Sequence, residues 1–145
     1  MNNLSYEEYL EKYGTMTYSN VGISMMPLLR QGKDLFTVRK KTEARCQKYD
    51  VVLYRRPPSH YVLHRVIQVR EKDYVILGDN CINKEYGITD DDIIGVMESF
   101  VRDGKTYSVS DKKYRLYVFF WCFSIPLRIF LTKLKFKLKR VTHEE

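Results

Sequence analysis

Residues 51–77 read VVLYRRPPSHYVLHRVIQVREKDYVIL. β-Branched and aromatic residues crowd three short runs, 51–54, 61–69 and 74–77, and Pro57-Pro58 separates the first from the second. Each run is strand length, and the spacers between them are too short for a helix. Outward from this stretch the pattern repeats, with β-prone runs at 35–38, 93–97 and 106–109. Gly32-Lys33-Asp34, Gly78-Asp79-Asn80 and Asp103-Gly104 supply further turns. Closely spaced strands without intervening helices predict a mainly β fold built on a compact, mostly antiparallel sheet.

The chain has 145 residues, enough for one domain with short appendages. Residues 1–14 predict a short N-terminal helix. Ser5 and Glu8 have capping-box spacing, Tyr6, Tyr9, Leu10 and Tyr13 share a face, and Gly14 is a plausible stop. Residues 15–110 form the expected body, and residues 111–145 a basic, apolar tail. That tail holds nine Lys/Arg against three Asp/Glu, a net +6 out of the chain's +7, so the body is nearly neutral. A nucleic-acid binder spreads positive charge over its folded face, so no nucleic-acid partner is expected.

Within the tail, residues 116–127 are almost wholly apolar, and Lys133, Lys135, Lys137, Lys139 and Arg140 follow. Leu116, Phe120, Phe123, Leu127, Phe130, Leu134 and Leu138 recur every three or four residues. They predict a basic amphipathic helix that Pro126 kinks or divides. The apolar stretch is short for a span, so residues 116–140 are expected to bind an anionic membrane surface. Residues 1–14 have neither a basic nor an apolar signal region. The expected location is therefore the cytoplasmic face of a membrane, peripheral or monotopic, in a bacterial-like setting. Cys46, Cys81 and Cys122 are odd in number and lack metal spacing, which suits a reducing compartment. Asp90-Asp91-Asp92 lacks the spaced oxygens of a calcium loop, and neither a metal nor a cofactor is expected. Arg55-Arg56-Pro57-Pro58 reads as a rigid exposed turn.

Two segments carry candidate chemistry. Ser24 lies in Val21-Gly22-Ile23-Ser24-Met25-Met26-Pro27, where glycine and proline let the backbone turn sharply. A serine hydroxyl needs an adjacent base to become a nucleophile, and histidine titrates in the right range. Period-two spacing puts His64 on one strand face with Val62 and Val66, and Arg65 on the other.

In their order these segments resemble the type I signal peptidases. Ser24-Met25-Met26-Pro27 is similar to the family's nucleophile box, and Asp50-Val51-Val52 to the strand entry that follows it. His64-Arg65-Val66-Ile67 resembles its base box, and Gly78-Asp79-Asn80 its last box. The resemblance spans roughly residues 22–96. Histidine as base is similar to the archaeal and endoplasmic-reticulum branch, and the glycine two before the serine to Gram-positive members. Residues 1–20 are polar where the family carries a transmembrane helix, and the usual Gly-Asp becomes Gly32-Lys33-Asp34. Glu85 stands where His-type members have a second aspartate.

The resemblance implies a signal-peptidase/repressor-peptidase-like β fold and a serine endopeptidase, with Ser24 as nucleophile and His64 as general base. The substrate implied is an extended peptide or leader segment, small before the cut, that adds a strand to a sheet edge. Either Glu85 or Asp79 would orient His64. Arg65 also needs a partner, so the expectation gives Asp79 to Arg65 and Glu85 to the imidazole. The alternatives are a self-cleaving regulatory peptidase of the repressor type and a catalytically inactive, membrane-associated peptide-binding module of the same fold.

Overall fold

The computed structural model describes residues 3–143; the outermost two positions of the expected segments 1–14 and 111–145 lie outside it. The chain is mainly β. After helix α1 (Tyr6–Tyr13) come β1 (Thr15–Ser19), β2 (Leu35–Lys40), β3 (Val51–Arg56), β4 (His60–Val69) and β5 (Tyr74–Leu77). Then follow β6 (Glu85–Ile88), β7 (Ile93–Arg102) and β8 (Lys105–Ser108), and helices α2 (Lys112–Phe123) and α3 (Ile125–His143). The strands make one antiparallel sheet in the order β1-β2-β7-β3-β4-β5-β6, with β8 on the far end of β7.

All six strand runs expected from the sequence are present, and two strands are additional. β1 buries only Met16, and β6 contains Gly87 at φ 78°, so neither carries an alternating apolar signal. The 51–54 run is continuous because β3 is covered on both faces. Val51 and Leu53 join a cluster with Leu10, Leu29, Phe36 and Phe100, and Val52 and Tyr54 join another with Val66, Tyr74 and Ile76.

α1 has the expected capping box. Ser5 Oγ accepts from Glu8 N–H at 3.2 Å and Ser5 N–H donates to Glu8 Oε2 at 2.7 Å. Gly14 closes the helix in the left-handed region at φ 79°. Of its tyrosine-rich face only Leu10 is buried, while Tyr9 and Tyr13 are exposed against each other.

The tail is divided into two helices near Pro126. The break falls at Ser124, so Pro126 sits in the first turn of α3, where its missing N–H costs no helical hydrogen bond. The helices meet at a bend of 52°.

The loop between β1 and β2 crosses the end of the sheet and is fastened from within. Met25, Leu28 and Leu29 sink into the core cluster that includes Leu10 and Val38. Asn20 Nδ2 donates to the Leu29 carbonyl at 3.2 Å. Asp34, fully buried, accepts from Arg30 N–H at 2.8 Å and from the Arg30 and Arg102 guanidiniums, and Arg102 also donates to the Pro27 and Leu28 carbonyls. Burial opposes ionisation of Asp34, but these bonds outweigh it and hold its pKa below the usual value. Leu29→Ala should therefore cost about 2–5 kcal/mol in urea unfolding, because it empties a fully buried site.

Candidate active site

Gly78, the residue after β5, is where the Cys81 thiol, the Ser24 main chain and the His64 imidazole converge. A Cβ placed there would stand 2.6 Å from Cys81 Sγ, 2.7 Å from the Ser24 carbonyl oxygen and 2.9 Å from His64 Nε2. No side chain fits, and the missing methyl group is what lets the Ser24 turn close onto the imidazole. The contact is fixed by the following residue. Asn80 N–H donates to the Ser24 carbonyl at 2.8 Å, and Asn80 Nδ2 donates to the Ile23 carbonyl at 3.1 Å. Gly22, at φ 87°, turns the chain into this position.

The structure thus places the Ser24 main chain and His64 Nε2, forty residues apart in sequence, against the same glycine. No hydrogen bond joins Ser24 Oγ to Nε2, and Nε2 has no other partner among the described residues. No buried side-chain nitrogen or oxygen among them is left unpaired, so Nε2 is not fully sealed. Such bonds are often long or absent before substrate binds.

The other imidazole nitrogen is held firmly. Val52 lies directly opposite His64 across the β3–β4 pair, and Tyr54, two residues on, reaches it diagonally. Tyr54 Oη is 3.2 Å from His64 Nδ1 and 2.7 Å from Glu85 Oε2. Glu85 is in turn gripped by Arg56, at 2.6 Å and 3.1 Å. Burial resists ionisation of Glu85, but the Arg56 and Tyr54 bonds prevail and keep it a carboxylate. Burial, and then the hydrogen bond to Glu85, push the Tyr54 phenol upward, so it stays protonated. A carboxylate only accepts, so Tyr54 donates to Glu85 and its oxygen accepts from His64 Nδ1–H. That assigns the proton to Nδ1 and leaves the lone pair on Nε2, beside Gly78.

Glu85 therefore stops one side chain short of the imidazole that it was expected to touch. Tyr54, which the sequence reading treated only as an apolar strand residue, bridges the gap. His64 is only 9% exposed, and burial, followed by the Arg56 charge, lowers its pKa from 6.5 to about 4, with Glu85 and Asp79 opposing. It is neutral at pH 7, as a base must be.

Arg65 points to the opposite face and meets Asp79 in a two-pronged pair, Nε to Oδ1 at 2.7 Å and NH2 to Oδ2 at 2.9 Å. Both side chains are almost wholly buried. Tyr114 Oη, the Tyr49 carbonyl and Tyr117 Oη complete the polar partners of the pair at 3.1, 2.9 and 2.8 Å. Cys81, which the sequence marks only as one of three cysteines without metal spacing, lies against the Ser24 carbonyl at 3.9 Å. Burial raises its thiol above the usual value, so it remains protonated and a weak nucleophile. Among the described residues no cluster of His, Cys, Asp and Glu could hold a metal ion. Comparison with protein-family models, curated proteins and solved structures gives no match.

Long-range ¹H–¹⁵N spectra at pH 7 should show neutral His64 protonated on Nδ1. Tyr54→Phe and Glu85→Gln should shift it toward the Nε2–H form. Asp79→Asn should leave the tautomer alone and instead cost about 3–5 kcal/mol of stability, since it strands a buried guanidinium. An Nε2–H tautomer in the wild-type protein would contradict the assignment.

Proposed function

We propose that the chain is a serine endopeptidase of the signal-peptidase type that cleaves an extended peptide through an acyl-enzyme. The observation that carries this reading is the His64 Nε2 lone pair held beside the Ser24 turn at Gly78, with Nδ1–H fixed by Tyr54 and Glu85. His64 takes the Ser24 hydroxyl proton as Oγ attacks the carbonyl carbon, then gives it to the leaving amine; a water molecule repeats the sequence to free the acyl group. Glu85, acting through Tyr54, steadies the imidazolium that forms in between. The backbone N–H of Ser24 donates to nothing among the described residues and would meet the developing oxyanion.

The surroundings suit an extended substrate. β4 pairs with β3 along residues 60–65 but with β5 only from Arg65 onward, so the segment leading into His64 has an open edge. A cavity of about 250 Å³ lies between that segment and residues 19–21, which lead into Ser24. Leu53, Leu63 and Phe36 line it, with Tyr6, Tyr18 and Tyr61 at its sides. A peptide strand laid there would bond to the open edge and pass its scissile bond toward Ser24. The resemblance of residues 22–96 to type I signal peptidases supports the same reading, including the fold. The family's second acidic position is supplied here by Glu85.

The test is hydrolysis of soluble peptides drawn from a random library. Ser24→Ala and His64→Ala should abolish cleavage and keep the native circular dichroism. kcat/KM should fall as pH drops, with its midpoint at about 4 and not at 6.5, because the buried imidazole resists protonation. Between those two pH values the unfolded chain takes up a proton that native His64 refuses, so stability should fall over the same window. Cleavage that survives Ser24→Ala would end the proposal.

A further inference from the structure

Helices α2 and α3 present two faces of opposite character. Inward, Tyr117 and Trp121 pack on the body, and Arg128 reaches back to it from α3. Trp121 Nε1–H and the Arg128 guanidinium both donate to the Asp79 carbonyl at 3.0 Å. Arg128 lies 3.9 Å over the Trp121 ring and also donates to Ser124 Oγ and the Trp121 carbonyl. The one charge within the apolar stretch is thus turned away from the outer surface.

Outward, Phe119, Phe120 and Phe123 are 62%, 61% and 80% exposed. α3 then runs for 19 residues without one buried side chain. Its helical period puts Leu127, Leu131, Leu134, Leu138 and Val141 on a single exposed stripe. Lys135 and Lys137 flank that stripe, and Lys133, Lys139 and Arg140 have stems long enough to reach past it. A helix of this length is marginal in water without a packed face, and a contiguous apolar surface of this size marks an interaction site.

Charge and shape select the occupant. Rows of cations beside an open apolar stripe fit the headgroup boundary of an anionic bilayer. Crossing the bilayer does not fit. Among the described residues no single helix is long and apolar enough to span, and the pair that would suffice together by length and composition is bent by 52°. Straightening the pair would pull Trp121 and Arg128 off Asp79 and carry a guanidinium into hydrocarbon.

We propose that α2 and α3 form an in-plane platform that docks on an anionic lipid surface through Phe119, Phe123 and the α3 stripe. Trp121 and Arg128 stay clamped on the 78–80 loop and hold the body on the lipid-distal side. This docking rests on the exposed surface alone and stands whether or not the chain is a peptidase.

The experiment uses the full chain and its single tryptophan, Trp121. The chain should co-sediment with phosphatidylcholine–phosphatidylglycerol vesicles but weakly with phosphatidylcholine alone, and high salt should weaken binding about tenfold or more. Phe123→Glu, and independently Lys135→Glu with Lys137→Glu, should abolish sedimentation without changing the thermal midpoint. In vesicles of brominated lipid, native Trp121 emission should be little quenched, whereas Phe123→Trp should be strongly quenched. Strong quenching of Trp121 would mean that the pair inserts, and would overturn the proposal. So would failure to bind anionic vesicles, binding unaffected by either set of substitutions, preferential binding of duplex DNA, or a dimer that hides Phe123 from lipid.

Discussion

The buried pair of Asp79 and Arg65 is the joint at which the molecule's parts meet. A carboxylate and a guanidinium this deep are costly to desolvate, and only full hydrogen bonding makes them tolerable. Here Asp79 accepts from Arg65 at both oxygens and from Tyr117 at one, while its main-chain carbonyl accepts from Trp121 and Arg128. Four separate elements are thereby tied to one residue: β4 through Arg65, the loop after β5, and the two tail helices. The next residue, Asn80, adds a fifth by holding the Ser24 turn. Arg65 and His64 are neighbours on β4 with opposite side-chain directions, so anchoring one on the Asp79 side fixes the other on the Tyr54 side.

The second polar network does different work. Arg56, Glu85 and Tyr54 line up behind His64 Nδ1, and the chain of donors and acceptors runs in only one direction because Glu85 cannot donate. A neutral phenol between the carboxylate and the ring keeps Nδ1 protonated, while the Glu85 charge is largely answered by Arg56. Burial then dominates, and the imidazole stays neutral far below its ordinary titration range. In the proposed reaction such an imidazole is a weak base that is unprotonated near neutrality.

The strands of the body were legible because period-two alternation and turn residues are local signals, as was the capped α1. The opposed directions of His64 and Arg65 followed from the same period. β1 and β6 were not legible, since each is paired at an edge and buries a single side chain. Tyr54 reads as one more apolar strand residue in Val51-Val52-Leu53-Tyr54, and only the folded register shows its hydroxyl between His64 and Glu85. Asp34 stands in the sequence as a turn residue, yet its partners Arg30 and Arg102 make it a buried clamp. Trp121 and Arg128 look like an anchor residue and an interruption in an apolar run. Their shared contact with the Asp79 carbonyl depends on the bend after Ser124, which Pro126 announced but whose direction no local pattern encodes.

The central claim is that His64 activates Ser24, with the thiol of Cys81 as a bystander. Rapid-quench mass spectrometry during turnover of an activated peptide ester tests it most directly. The account predicts a burst of acyl-enzyme with the acyl group mapped to Ser24, absent from Ser24→Ala and His64→Gln and unchanged in Cys81→Ala. An acyl group on Cys81, or a Ser24 adduct that forms equally fast without His64, would contradict it.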